Sequence, residues 1–234
     1  MLRLEAISVQ QGNFVLSANL QVTPGQVVAV MGPSGGGKST LIAAIAGFLR
    51  PKSGRIYWNG TDLTNLAPGK RPIAVLFQDN NLFPHLTVDQ NLALAIRPTG
   101  RLSYQETQQV AAVLDQVGLP GLGLHKPGVL SGGQQSRAAL ARVLLSKRAL
   151  VLLDEPFAAL GPGLKDDMLD LTLATTRAQD QTVLMVTHDP EDARRIAPLI
   201  IGVEAGVALP AEATDVFLNA PAPSMQDYLG HKQV

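Results

Sequence analysis

The chain has 234 residues, 19 basic and 19 acidic side chains, and no cysteine. Cancelling charge removes the broad positive field of a typical nucleic-acid binder, and the missing thiols exclude disulfides, thiolate zinc sites and cysteine nucleophiles together. Apolar types reach 46% and charged ones only 16%, against roughly 25% charged in average usage, so part of the surface is expected to meet a partner.

The start, MLRLEAISVQQ, carries neither a basic flank nor an apolar stretch of signal length. With no apolar run near the roughly 18 residues of a spanning helix, a cytosolic chain is expected. The first strand-length apolar run, Val27–Met31, leads directly into Gly32, Pro33, Ser34, Gly35, Gly36, Gly37, Lys38 and Ser39. These satisfy G-x-x-x-x-G-K-[ST] between a strand and a helix. Glycines let successive N–H groups point inward and the helix N-terminus adds partial positive charge, which makes a phosphate cradle. There Lys38 reaches the β- and γ-phosphates, Ser39 ligates Mg²⁺, and Thr40 bonds the α-phosphate. The helix beginning near Lys38 is expected to align Leu41, Ile45 and Phe48 on one face. A phosphate cradle alone does not choose among kinases, GTPases, recombinase-type motors and transport ATPases.

Ile73–Phe77 is the next expected strand, and Gln78 at its end offers an oxygen to Mg²⁺ or to a lytic water. Signals from about Asp79 to Lys147 are helical, interrupted at Arg97–Gly100 and Gly118–Gly128. Residues 79–147 therefore read as a helical lobe inserted into a single domain spanning 1–234. Thr87 to Gln90 and Ser103 to Glu106 have capping-box spacing. Val110, Val113, Leu114 and Val117 share a helical face, as do Leu140, Val143 and Leu144. Between these faces stands Leu130-Ser131-Gly132-Gly133-Gln134, before a helix expected from Gln135 to about Ser146. Ser131 and the amides of Gly132 and Gly133 read as a second anion cradle.

The strand Leu150–Leu153 delivers two carboxylates to the carboxyl edge of a sheet, where ligands bind. Asp154 is expected to hold the Mg²⁺ shell and Glu155 to polarise the attacking water. The strand Thr182–Val186 leads to His188, which can donate to a γ-phosphate. Asp189-Pro190 reads as an N-cap with a first-turn proline, Leu199–Val203 as the last core strand, and Asn219–Ser224 as a loop. His85, His125 and His231 lack metal-like spacing and receive no catalytic role. Alternating helix and strand signals make the class α/β with a mainly parallel sheet.

In this order, phosphate loop, Gln78, LSGGQ, VLLDEP and His188, the chain resembles ATP-binding-cassette (ABC) transporter ATPases over nearly its whole length. The resemblance implies a P-loop NTPase fold with an antiparallel β portion beside the parallel sheet, ATP and Mg²⁺ as cofactors, and Lys38, Gln78, Glu155 and His188 as the catalytic set. It implies a head-to-tail homodimer sandwiching two ATP, with Ser131, Gly132, Gly133 and Gln134 facing the γ-phosphate held by the other subunit. It further implies membrane permease subunits docking near residues 79–96, a periplasmic substrate-binding protein acting indirectly, no nucleic acid, and a peripheral place on the cytoplasmic face of the inner membrane. Leu82, Phe83 and Leu86 read either as that docking surface or as core closure between lobes.

The run Phe77-Gln78-Asp79-Asn80-Asn81-Leu82-Phe83 with His85–Val88 behind it, Ala46–Leu49, and Arg71-Pro72 are similar to thiamine-importing members. The alternatives are another small-solute importer (iron or polyamine), an exporter or lipoprotein-release system, a soluble ABC-type ATPase, and a weakly hydrolysing regulatory module. Two positions depart from the family pattern. The nearest aromatic to the expected adenine-stacking place is Phe14, which reads as a stacking or a core residue, and Gly161 stands where the family carries an interface-crossing aspartate. The stretch after His188 is too short for the β-rich regulatory domain of some importers.

Overall fold

The chain opens with two antiparallel strands, β1 (Leu2–Gln11) and β2 (Phe14–Val22). Leu2, Leu4, Ile7 and Val9 of β1 face inward, and the period of two slips at Ala6, whose φ of 44° accompanies a register shift between Leu4 and Ile7. β3 (Val27–Met31), buried throughout, leads into α1 (Lys38–Ala46). Then come β4 (Ser53–Trp58), β5 (Thr61–Asp62) and β6 (Ile73–Leu76), followed by the helices α2 (Val88–Ile96), α3 (Tyr104–Gln116) and α4 (Gly132–Leu145). The rest is β7 (Leu150–Asp154), α5 (Pro162–Ala178), β8 (Thr182–Val186), α6 (Pro190–Ile196), β9 (Leu199–Glu204), β10 (Val207–Ala208), β11 (Glu212–Ala213), α7 (Thr214–Asn219) and α8 (Pro223–Leu229). This computed structural model describes residues 1–221 and 223–230; His231 lies outside them.

The strand order is β5-β4-β1-β2-β10-β9-β3-β8-β7-β6, with β11 beside β9. β9, β3, β8, β7 and β6 run parallel, and β5, β4, β1 and β2 form the antiparallel wing. Val28 and Val30 of β3 pack with Leu41, Ile42 and Ile45 of α1 and with the inward residues of the wing. Ala29 and Met31, on the opposite face, pack with α4, α5 and α6. Because β3, β7 and β8 are parallel, Gly32, Glu155 and His188 all emerge at one carboxyl edge.

Arg71 is only 2% exposed, and among the described residues its hydrogen bonds go to backbone carbonyls. Its Nη1 donates to the carbonyls of Ala44 (3.0 Å) and Ile45 (2.6 Å) in the last turn of α1, Nε to Leu66 (3.0 Å) and Nη2 to Thr64 (3.3 Å). A guanidinium thus adds a donor at the last turn of α1, where the Ala44 carbonyl also accepts the Gly47 N–H (3.1 Å), and at two loop carbonyls. Gly47 permits the approach: its φ is 92°, and a Cβ there would lie 2.5 Å from Arg71 Nε.

Gly47 also ends α1 at Ala46, so the expected helical face is cut short. Leu41 and Ile45 are fully buried, but Phe48 lies beyond the helix, 59% exposed, edge-on to Phe77 at 5.2 Å. β6 stops at Leu76, one residue before the expected end. The tail expected as a loop over Asn219–Ser224 instead contains the end of α7 at Asn219 and the start of α8 at Pro223. Both expected capping boxes form, at Thr87/Gln90 and at Ser103/Glu106. Asn91, fully buried on α2, accepts the Phe83 N–H (2.7 Å) and donates to the carbonyls of Phe83 (3.1 Å) and Thr87 (2.9 Å). It fixes the segment after Gln78 against the helical layer.

Candidate functional site

The loop 32–37 rests on β9. A Cβ on Gly32 (φ 150°) would lie 1.9 Å from the Val203 carbonyl oxygen, which rules out any larger residue there. Gly37, at φ 114°, is the N-cap of α1, so the amide-rich end of that helix faces the loop. Lys38, 9% exposed, donates from Nζ to the carbonyls of Gly32 (2.7 Å) and Pro33 (2.9 Å). Burial pulls its pKa down, while the carboxylates of Glu155 and Asp154 push it back up. Asp154, 4% exposed, is displaced upward chiefly by burial, against a hydrogen bond from Ser39.

Glu155 adopts a left-handed backbone, φ 47°, and its N–H donates to Val186 of β8 at 3.2 Å. For a side chain of this size such a conformation costs on the order of 1–3 kcal/mol, and this kind of strain clusters at working sites. His188 Nδ1 lies 3.7 Å from Glu155 Oε2. A cleft of about 470 Å³ is lined by Phe14, Ser34, Gly35, Gly37, Lys38, Ser39, Thr40, Gln78 and Glu155, together with Gln11. Phe14 does two things at once: it packs on the wing core, and its ring lies beside Gly37, whose added Cβ would be 3.0 Å from Phe14 Cζ.

Ser131, Gly132, Gly133 and Gln134 line no part of that cleft. They form the start of α4, three residues earlier than expected. The reason is a third capping box, in which Ser131 Oγ accepts the Gln134 N–H (3.3 Å) and Gln134 Oε1 accepts the Ser131 N–H (2.8 Å). The S-x-x-Q spacing was the available signal. The hydroxyl accepts through a lone pair, so its own proton is left to donate outward. Gly133 lies against the segment after Glu155, where a Cβ would sit 3.3 Å from Leu160 Cδ2.

Gly161 ends that segment as the N-cap of α5, with no side chain to cap it. Gly161→Asp is expected to supply the missing acceptor and to stabilise the chain by a few tenths of a kcal/mol, raising Tm by about 1 °C in calorimetry, whereas Gly161→Ala gives no gain.

Among the described residues, no cluster of three or more His, Cys, Asp or Glu could hold a metal. Among the described residues, no helix is long and apolar enough to cross a membrane.

The family model described as ABC transporter matches residues 15–158. The chain is 53% identical to the thiamine import ATP-binding protein ThiQ of Ruegeria sp. (strain TM1040), over 98% of this chain and 100% of that protein. It is 54% identical, with the same coverage, to the protein of that name in Cereibacter sphaeroides. Among solved structures it is similar to the dimeric bacterial ABC transporter cassette MJ0796, with a TM-score of 0.82 and 30% identity over 92% of this chain and 99% of the other. A dimeric post-hydrolysis state of the same cassette, bound to ADP and Pi, matches with a TM-score of 0.81.

Proposed function

The chain belongs to the ABC transporter family, and from that premise we propose that it is the ATP-hydrolysing subunit of a thiamine importer, working as one of two copies that clasp two ATP molecules between them. Identity of 53–54% along essentially the whole of two thiamine import ATP-binding proteins carries this reading. The geometry supports the paired arrangement. The cleft holds a triphosphate grip and a base, and the second anion cradle lies outside it, at the start of α4.

Ser39, Gln78 and Asp154 offer hard oxygen donors and would hold Mg²⁺ beside the phosphates. Burial has pushed the Asp154 carboxyl up, and a nearby cation relieves that. When bound, Mg²⁺ neutralises charge on the β- and γ-phosphates. The chain's own groups divide the rest. The loop amides of 32–37, Lys38 and Thr40 bind the phosphates, Phe14 stacks on adenine, Glu155 accepts the proton of the attacking water, and His188 donates to the γ-phosphate. Gln78 orients the water, and Ser131, Gly132, Gly133 and Gln134 close on the γ-phosphate of the facing copy.

The permease docks near residues 79–96. Leu82 packs into the core while Phe83 is 45% exposed at a cleft of about 270 Å³ shared with Asn81, Leu94 and Arg142. The two readings of this stretch thus fall on different residues. Thiamine reaches the permease from a periplasmic binding protein, and this subunit works at the cytoplasmic face.

In cells lacking the gene, uptake of labelled thiamine is expected to fall to background. It is expected to return with the wild-type gene and not with Lys38→Ala. Unchanged uptake in the deletion strain removes the substrate assignment.

A further inference from the structure

We propose that Lys165 is a positioning residue for His188, fastening the turn that carries the histidine to the segment that follows Glu155; the inference rests on the ATPase reading above. Lys165 sits in the first turn of α5, one turn beyond Gly161. Its Nζ lies 2.5 Å from Asp189 Oδ2 and 2.7 Å from Asp192 Oδ1, with the lysine side chain 22% exposed. Asp189 is the residue after His188. Its Oδ1 accepts the Glu191 N–H (2.9 Å), and its own N–H donates to Thr187 Oγ1 (3.1 Å), which in turn donates to Asp192 Oδ2 (3.3 Å).

The backbone on both sides of His188 is therefore held by one ammonium acting through two carboxylates. The His188 side chain itself is 65% exposed and stands 3.7 Å from Glu155, so its placement is inherited from this turn. Lys165, Asp189, Leu160, Glu155 and His188 also share the wall of one cavity of about 150 Å³. An ion pair with two partly buried partners and a backbone cap is held far more firmly than an exposed one. The hydrogen bonds to Asp189 and Asp192 raise the lysine pKa, which keeps it charged through the neutral range.

This arrangement gives the chain a route between the 157–161 segment and the γ-phosphate side of the site. Gly161 provides no carboxylate for such a link, and Lys165 supplies charge one turn later on the same helix. Any displacement of the N-terminus of α5 pulls on Asp189, and with it on the histidine.

In the full-length protein, Lys165→Met is expected to lower kcat by roughly 10- to 100-fold while KM for ATP stays within about twofold. Lys165→Arg, whose fork can hold both carboxylates, is expected to recover kcat to within about threefold. Amide hydrogen exchange over residues 187–192 is expected to accelerate in Lys165→Met and not in Lys165→Arg, a readout independent of turnover. Asp189→Asn is expected to mimic Lys165→Met, and the double variant to be no worse than either single one. Wild-type kcat with unchanged exchange in Lys165→Met overturns the inference, as does an undiminished kcat in Asp189→Asn should Lys165→Met fail to fold. The wild-type protein and Glu155→Gln, measured alongside, separate the cases: no ATP turnover in the wild type puts the ATPase reading at fault, and an active wild type with Glu155→Gln alone inactive puts the fault with Lys165.

Discussion

Glu155→Gln is expected to lower steady-state phosphate release by roughly 10³-fold while ATP binding persists, because an amide keeps the shape of the side chain but cannot take the proton of the attacking water. Gln also faces the same left-handed backbone cost as Glu at φ 47°, so the local structure is expected to survive. If two copies share two nucleotides, the variant accumulates as a dimer in ATP and Mg²⁺, and light scattering on a sizing column reads twice the mass. Turnover within about tenfold of wild type shows that Glu155 is not the base. A monomeric elution profile under those conditions removes the paired site.

Arg71→Met is the second large effect, and it falls on stability. Methionine replaces most of the aliphatic bulk, so the loss is chiefly polar: the carbonyls of Ile45, Leu66 and Thr64 lose the guanidinium donor, and Ala44 keeps only the Gly47 N–H. Removing a buried cation returns its own desolvation cost, which offsets part of that loss. The balance is expected to be about 4 kcal/mol, or a fall in Tm of about 10 °C in calorimetry. A loss under about 1 kcal/mol means water or a shifted turn replaces the guanidinium. Because the affected carbonyls close the helix whose other end faces the phosphate loop, nucleotide affinity is expected to weaken with it.

The parallel core was legible because each of its strands is apolar on both faces, and runs such as Val27–Met31 and Thr182–Val186 look the same in sequence and structure. The antiparallel wing was harder to read. Leu2, Leu4, Ile7 and Val9 alternate only if the slip at Ala6 is known, and that slip follows from pairing with β2, which one strand cannot reveal. Phe48 misled because helical spacing continues past Gly47 while the helix does not. Of the site, the phosphate loop, Gln78, Asp154, Glu155 and His188 were readable as ordered motifs. Arg71, Asn91 and Lys165 were not, since each earns its place from carbonyls or carboxylates far away in sequence. The start of α4 at Gly132 was signalled by Ser131 and Gln134 themselves, whose spacing fits both a helix cap and an anion cradle.

The order of synthesis meets the order of assembly in an unhelpful way for this chain. β3 and the glycine loop leave the ribosome early, yet the strands that flank β3 are β8 and β9, and the carbonyl supporting Gly32 belongs to Val203. A nascent subunit therefore carries its triphosphate motif for most of translation without the floor that shapes it. A phosphate-binding loop of native shape is expected only once β8 and β9 have been made.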